Sequence, residues 1–166
     1  MLTTRRGISP SPVYYAAILG LSDVVERLIK AKPGDCNLGG GELGSPLQAA
    51  VVNGQGPTVK VLLEHKANAS QKGGRYGTPL IAAVLLGSDD IFNQLVGSCK
   101  ELDAVDENGK TALHHACGLG AIDIVTKLVE AGANVNLKSK SGRSPLIRAM
   151  MQKHLNVVKY LLDKGA

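Results

Sequence analysis

One ten-residue block recurs five times along the chain, and that recurrence limits the fold more than any other feature. It reads SPVYYAAILG from Ser11, SPLQAAVVNG from Ser45, TPLIAAVLLG from Thr78, TALHHACGLG from Thr111 and SPLIRAMMQK from Ser144. The starts lie 34, 33, 33 and 33 residues apart. A register held over five copies describes like units, each too small to bury its own apolar face. Only neighbours stacked in line can supply the missing cover.

A second block follows each first one at a fixed offset. It ends in the aliphatic pairs Leu28–Ile29, Leu62–Leu63, Leu95–Val96, Leu128–Val129 and Leu161–Leu162. About one turn earlier come Val24–Val25, Val59, Ile91–Phe92, Ile124–Val125 and Val157–Val158. Pairs four residues apart make one helical face. Each unit therefore reads as two short antiparallel helices. Ser or Thr opens the first helix, with a side-chain oxygen for its free amides. Pro follows in four of the five copies, where its missing N–H costs nothing. Ala16–Ala17, Ala49–Ala50, Ala82–Ala83 and Ala116–Cys117 are small enough for helices to approach closely. Gly20, Gly54, Gly87 and Gly120 supply the turn between helices. Ser22, Ser88 and Asp123 are expected at the start of second helices, with Pro57 in a first turn. Gly132 and Gly165 are expected to end second helices in the left-handed conformation. One extra residue near Lys32–Pro33–Gly34 explains the single 34-residue spacing.

The pattern resembles the ankyrin repeat family, most closely in DENGKTALHHACGLGAIDIVTKLVEAGANVN, from Asp106 to Asn136. Thr111, Leu113 and His114 match the family's characteristic block, while Ala112 stands where Pro is usual. The resemblance runs over residues 9 to 166. The turn variants GGELGSPLQAA and GGRYGTPLIAA resemble those of ankyrin arrays in large proteins of filamentous fungi. The fold it implies is all-α: a solenoid of helix–turn–helix units joined by short turns or β-hairpin loops. Residues 1–8 form an N-terminal extension, and the repeats run approximately over 9–38, 39–71, 72–104, 105–137 and 138–166. The first copy, with Tyr14–Tyr15 and no Asp-rich turn before it, is expected to act as an N-terminal cap.

Composition agrees with small helical layers. Four Tyr, one Phe and no Trp leave Leu, Val, Ile and Ala to fill the core. The net charge of +5 is scattered, with small clusters at Arg5–Arg6 and at Lys138, Lys140 and Arg143. No nucleic-acid-binding motif accompanies it, so nucleic acid is not the expected partner. Three cysteines, Cys36, Cys99 and Cys117, with no C-x-x-C, suit neither a disulfide framework nor a zinc site. Cys36 and Cys117 fall at Val and Ala positions and read as small buried residues. Cys99 stands where Gly ends the helix elsewhere and is expected to be exposed. The N-terminus has no apolar signal core, and the longest apolar run, Leu80 to Leu86, is too short for a membrane span. An intracellular location is the expectation.

No constellation for catalysis stands out, and neither an enzyme activity, a cofactor nor a metal is expected. His114 and His115 are adjacent, so they point about 100° apart and chelate one metal poorly. The resemblance gives His114 a structural role, bonding across the turn. It also implies binding of another protein through the concave face and the turn tips. On the first helices the candidates are Ile18, Leu19, Val52, Asn53, Leu85, Leu86, Leu119, Met151 and Gln152, with Gly118 at the matching place in the fourth copy. The alternative is that these residues pack under the preceding turn or against the second helix. At the tips the candidates are Glu42, Arg75, Glu107, Asn108, Lys110, Lys140 and Arg143. An acidic partner segment would suit the last two tips. The chain is expected to be a monomer or part of a longer array. A second reading makes it the sensor or targeting segment of a larger signalling protein whose catalytic domain lies elsewhere.

Overall fold

The computed structural model describes residues 10–166, and the expected extension, residues 1–8, lies outside the described residues. Among the described residues ten α-helices alternate as first and second members of five hairpins. They are α1 (Pro12–Ile18), α2 (Ser22–Ala31), α3 (Pro46–Val52), α4 (Gly56–Glu64), α5 (Pro79–Leu86), α6 (Asp89–Val96), α7 (Ala112–Leu119), α8 (Ile122–Glu130), α9 (Pro145–Met151) and α10 (Leu155–Asp163). A 3-10 turn, Pro33–Asn37, takes up the extra residue of the first repeat.

The first helices α1, α3, α5, α7 and α9 pack on one another in sequence, and each also packs on its own second helix. Helices of seven to ten residues are shorter than the roughly 12–15 residues that hold alone in water. Stacking therefore makes them. Ala17, Ala49, Ala50, Ala82, Ala83, Ala116 and Cys117 are all fully buried at the helix contacts. Val25, Ile29, Leu62, Phe92, Leu95, Val125, Leu128 and Leu161 seal the second helices from the other side. Each fully buried Leu or Phe contributes about 1.5–3 kcal/mol.

The expected caps on the first helices are present. The hydroxyls of Ser11, Ser45, Thr78, Thr111 and Ser144 accept from the amides three residues on. Gln48 and His114 complete two reciprocal capping boxes. Ser22 and Ser88 stand at the starts of α2 and α6 as expected, though neither caps with its side chain. The reversal after each first helix already ties the entering backbone. Leu21, Gln55, Ser88, Ala121 and His154 donate their amides to Ala16, Ala50, Ala83, Ala116 and Ala149 carbonyls, five residues back. Such a reversal needs a left-handed residue just before the donor. Gly20, Gly54, Gly87 and Gly120 provide it, and in the fifth repeat Lys153 is forced to φ 60°. Ser22 instead bonds the Thr58 hydroxyl at 2.9 Å. Asp123 does lie in the first turn of α8, and Pro57 in that of α4.

At the far ends of the second helices, Gly132 and Gly165 adopt the expected left-handed conformation, and Lys66 shares it at φ 63°. The third repeat departs from the pattern. There α6 ends at Val96, and Cys99 is half-buried rather than exposed, with its Sγ 3.3 Å from Ser70 Oγ. Cys36 and Cys117 are buried as expected. Burial pushes the Cys117 thiol up to about 12.

Two sets of bonds tie one repeat to the next. Asn37, Ser70, Asp103 and Asn136 stand 33 residues apart. Asn37 Oδ1 accepts from the Asn68 amide at 2.7 Å, Ser70 Oγ from Glu101 at 3.1 Å and Asp103 Oδ1 from Asn134 at 3.0 Å. Asn136 Nδ2 donates to the Gly165 carbonyl at 3.2 Å. The second set starts from the fourth position of the first, second and fourth blocks, since Ile81 and Ile147 hold that place in the others. Tyr14 Oη accepts from the Leu43 amide, Gln48 Nε2 donates to the Gly73 carbonyl and His114 Nε2 to the Arg143 carbonyl.

The tips between repeats are closed turns. Gly40, Gly73, Asp106 and Ser139 donate their amides to the carbonyls of Gly44, Gly77, Lys110 and Arg143. Among the described residues the only bridge of β type is Gly73–Gly77, so the short-turn form of the connection is the one realised.

Candidate protein-binding surface

The first-helix candidates occupy the two positions before the turn. Here the stack leaves a row of apolar side chains uncovered. Leu19 is 66% exposed, Leu85 38%, Leu86 42%, Leu119 53% and Met151 49%. Asn53 and Gln152 are exposed in the same row, while Ile18, Val52 and Gly118 are half-buried. The alternative of packing under the turn thus describes Ile18 and Val52 in part, and does not describe the leucines. The cause is periodicity. Residues such as Ala17, Val51, Val84 and Cys117 face the neighbouring helices, so the residue one or two further on rotates away from the core.

The tips form a second exposed edge. Glu42, Arg75, Glu107, Asn108, Lys140 and Arg143 are exposed, and Lys110 is half-buried. Arg75 lies over its neighbour Tyr76, 4.8 Å from the ring centre. The last two tips are braced by side chains that the Gly-rich second and third tips lack. Asp106 Oδ1 accepts from the amides of Asn108 at 2.8 Å and Lys110 at 2.9 Å. Its Oδ2 meets His115 Nε2 at 2.8 Å. Burial pushes the Asp106 carboxyl up, but the two amides and His115 outweigh it, and the net shift is downward. Ser139 Oγ bonds the Arg143 carbonyl at 3.2 Å. Backbone contact joins these two tips, with the Lys140 amide donating to the Asn108 carbonyl at 3.0 Å.

His114 is fully buried. The Thr111 amide donates to its Nδ1 at 3.2 Å, which leaves the proton on Nε2 for the Arg143 carbonyl at 3.0 Å. Burial, together with the charges of His115 and Arg148, depresses its pKa. Burial likewise lowers that of His115, against the pull of Asp106. The pair does not share a ligand. One ring faces the next repeat and the other braces its own tip.

Two residues outside the expected set join this surface. Arg148, on α9, lies against Gly118 of α7. A Cβ at position 118 would sit 3.0 Å from its Nη2. His154 Nε2 bonds the Gly118 carbonyl at 3.1 Å. Arg148 follows Ile147 within a helical block and carries no sequence sign of reaching back a whole repeat. The Gly at 118, where other copies hold Ile, Val, Leu or Met, is the one available signal.

Among the described residues no helix is long and apolar enough to cross a membrane. The geometry defines a class of protein: a stacked array of helical hairpins, closed by short tips, with one apolar row and one polar edge left exposed. The chain belongs to the ankyrin repeat family, whose model, described as ankyrin repeats (3 copies), matches residues 13–103 and 80–166. Ankyrin repeats are generally protein–protein interaction modules. No curated protein matches the chain.

Proposed function

We propose that this chain is a non-catalytic scaffold that binds a partner protein across its first helices and tips. The observation that carries this reading is the apolar row Leu19, Leu85, Leu86, Leu119 and Met151. These side chains come from four repeats, yet share one place beside the inter-helix turns. Contiguous exposed apolar surface, rimmed by polar groups, marks interaction sites. The polar rim here is supplied by Asn53, Gln152 and the tips.

The test is affinity capture with the intact chain against a Leu86→Lys/Leu119→Lys variant. Both side chains are substantially exposed, so the variant should keep its helical circular dichroism and lose no more than about 1 kcal/mol of stability. Partner capture should disappear. Loss of helicity instead would mean that these leucines hold the stack together, and unchanged capture would remove them from the binding surface.

A further inference from the structure

Between the tips of the fourth and fifth repeats lies a recess of about 440 Å³ lined by Asn108, Lys110, Lys140, Ser141, Arg143 and Arg148. Four of these six residues are cationic. None of the four makes an ion pair among the described residues. Two acids stand at these tips, and neither lines the recess. Asp106 is engaged by His115 and two amides, and Glu107 is not part of the lining. Arg148 is the most telling member. Its Nε is buried and has no hydrogen-bond partner. A buried donor without a partner costs about 1–3 kcal/mol. Arg148 as a whole is only half-buried and lines the recess, and the strongest bonds a guanidinium makes there are charge-assisted ones to a carboxylate. The position is built rather than accidental, since Gly118 provides the space that the guanidinium occupies. The positive field also reaches both neighbouring imidazoles, as Arg148 acts to lower the pKa of each.

We propose that this recess receives a carboxylate-bearing segment of the partner, a run of Asp and Glu side chains, with Arg148 as its central contact. The proposal rests on the reading of the chain as a protein-binding stack, and names the chemistry of the guest at one end of it. The lining holds no aromatic ring on which a base could stack. The amides of Asn108, Lys110, Lys140 and Gly142 are already committed to Asp106, Asn108 and Ser139. What remains is a set of separate side-chain cations around an open recess, which suits several carboxylates on one strand of peptide.

The experiment is fluorescence anisotropy with a labelled octaglutamate peptide and the full chain at low ionic strength. Binding is expected, weakening by about tenfold or more when salt is raised, because exposed charges are screened. Lys140→Glu/Arg143→Glu and, separately, Arg148→Gln should each weaken binding by about tenfold or more. Lys60→Glu/Lys159→Glu makes the same change in net charge on second helices, and should alter binding by no more than about twofold. Circular dichroism of each variant establishes that the stack is intact, and Lys140 and Arg143 are exposed enough to change without unfolding it. Absence of binding, equal loss in both charge-reversed doubles, or displacement by inorganic phosphate or a single-stranded oligonucleotide at lower concentration than free octaglutamate would overturn the assignment. The Leu86→Lys/Leu119→Lys variant separates the two readings. It should still bind octaglutamate, so failure of the apolar row leaves the recess standing, and failure of the recess leaves the row.

Discussion

At the scale of single residues, the fourth position of the first block shows how different chemistries do one job. Gln48 and His114 each accept from the amide of the capping residue and donate to a carbonyl of the next repeat. Glutamine does so without titrating. Burial lowers the folded pKa of His114, and of His115, below the ordinary 6.5. The unfolded chain therefore binds more protons as pH drops past that value. The stability linked to both rings is full above about pH 6.5 and is lost as pH falls through their lower folded pKa values. A His114→Gln variant should lose less melting temperature than the parent when pH is taken from 7.5 to 5.5, with His115 responsible for what remains. Melts followed by circular dichroism at both pH values test this, and identical drops would show that His114 does not carry the linkage. The structural role of His114 was legible from its place in the repeat. That His115 braces a tip through Asp106 was not, since the two lie nine residues apart across a turn whose shape periodicity does not specify.

At the scale of the helical hairpin, the turn between helices sets the strain. Lys153 holds the left-handed conformation that Gly20, Gly54, Gly87 and Gly120 hold in the other repeats. A side chain there costs about 1 kcal/mol or more. Lys153→Gly should accordingly raise the unfolding free energy by about 1 kcal/mol in urea titration; no gain would mean that the lysine compensates through contacts of its own. Glycines in this conformation are not equivalent. Around Gly87 a Cβ would meet nothing within 4 Å, whereas at Gly109 it would sit 2.8 Å from the Lys140 backbone nitrogen. Gly87→Ala should lose about 1 kcal/mol, and Gly109→Ala clearly more, because it also parts two stacked tips. The same measurement decides, and equal losses would remove the tip contact from the account. The sequence showed where each hairpin turns. It did not show that the reversal itself ties down the start of each second helix, so that Ser22 and Ser88 stand there without capping by their side chains.

At the scale of the whole molecule, stability follows from neighbours. Ile81 and Val84 of the third repeat are covered by the fourth and show 1% exposure each, whereas the matching Ile147 and Met150 show 41% and 57%. Leu162 of α10 is also open at 55%. A repeat with one covered face has half the interface of an internal one, so it opens at lower free energy. Hydrogen exchange should find the amides of α10 less protected than those of α5 and α7, and uniform protection would mean that the stack opens only as one unit. The linear order of units was readable because register repeats in one dimension. Contacts spanning a full repeat, such as Arg148 against Gly118, were not, because they depend on which side chains happen to face each other across a seam. The rungs from Asn37, Ser70 and Asp103 point to a further property. Each takes its proton from a main-chain amide, a donor that every copy possesses whatever its side chain. Excising residues 72–104 as a block would present Ser70 with Asn134 in place of Glu101, and the fit would survive. The protein is in this sense modular along these rungs: a whole period can be taken out, shortening the surface it offers, while each side-chain oxygen still finds a main-chain amide.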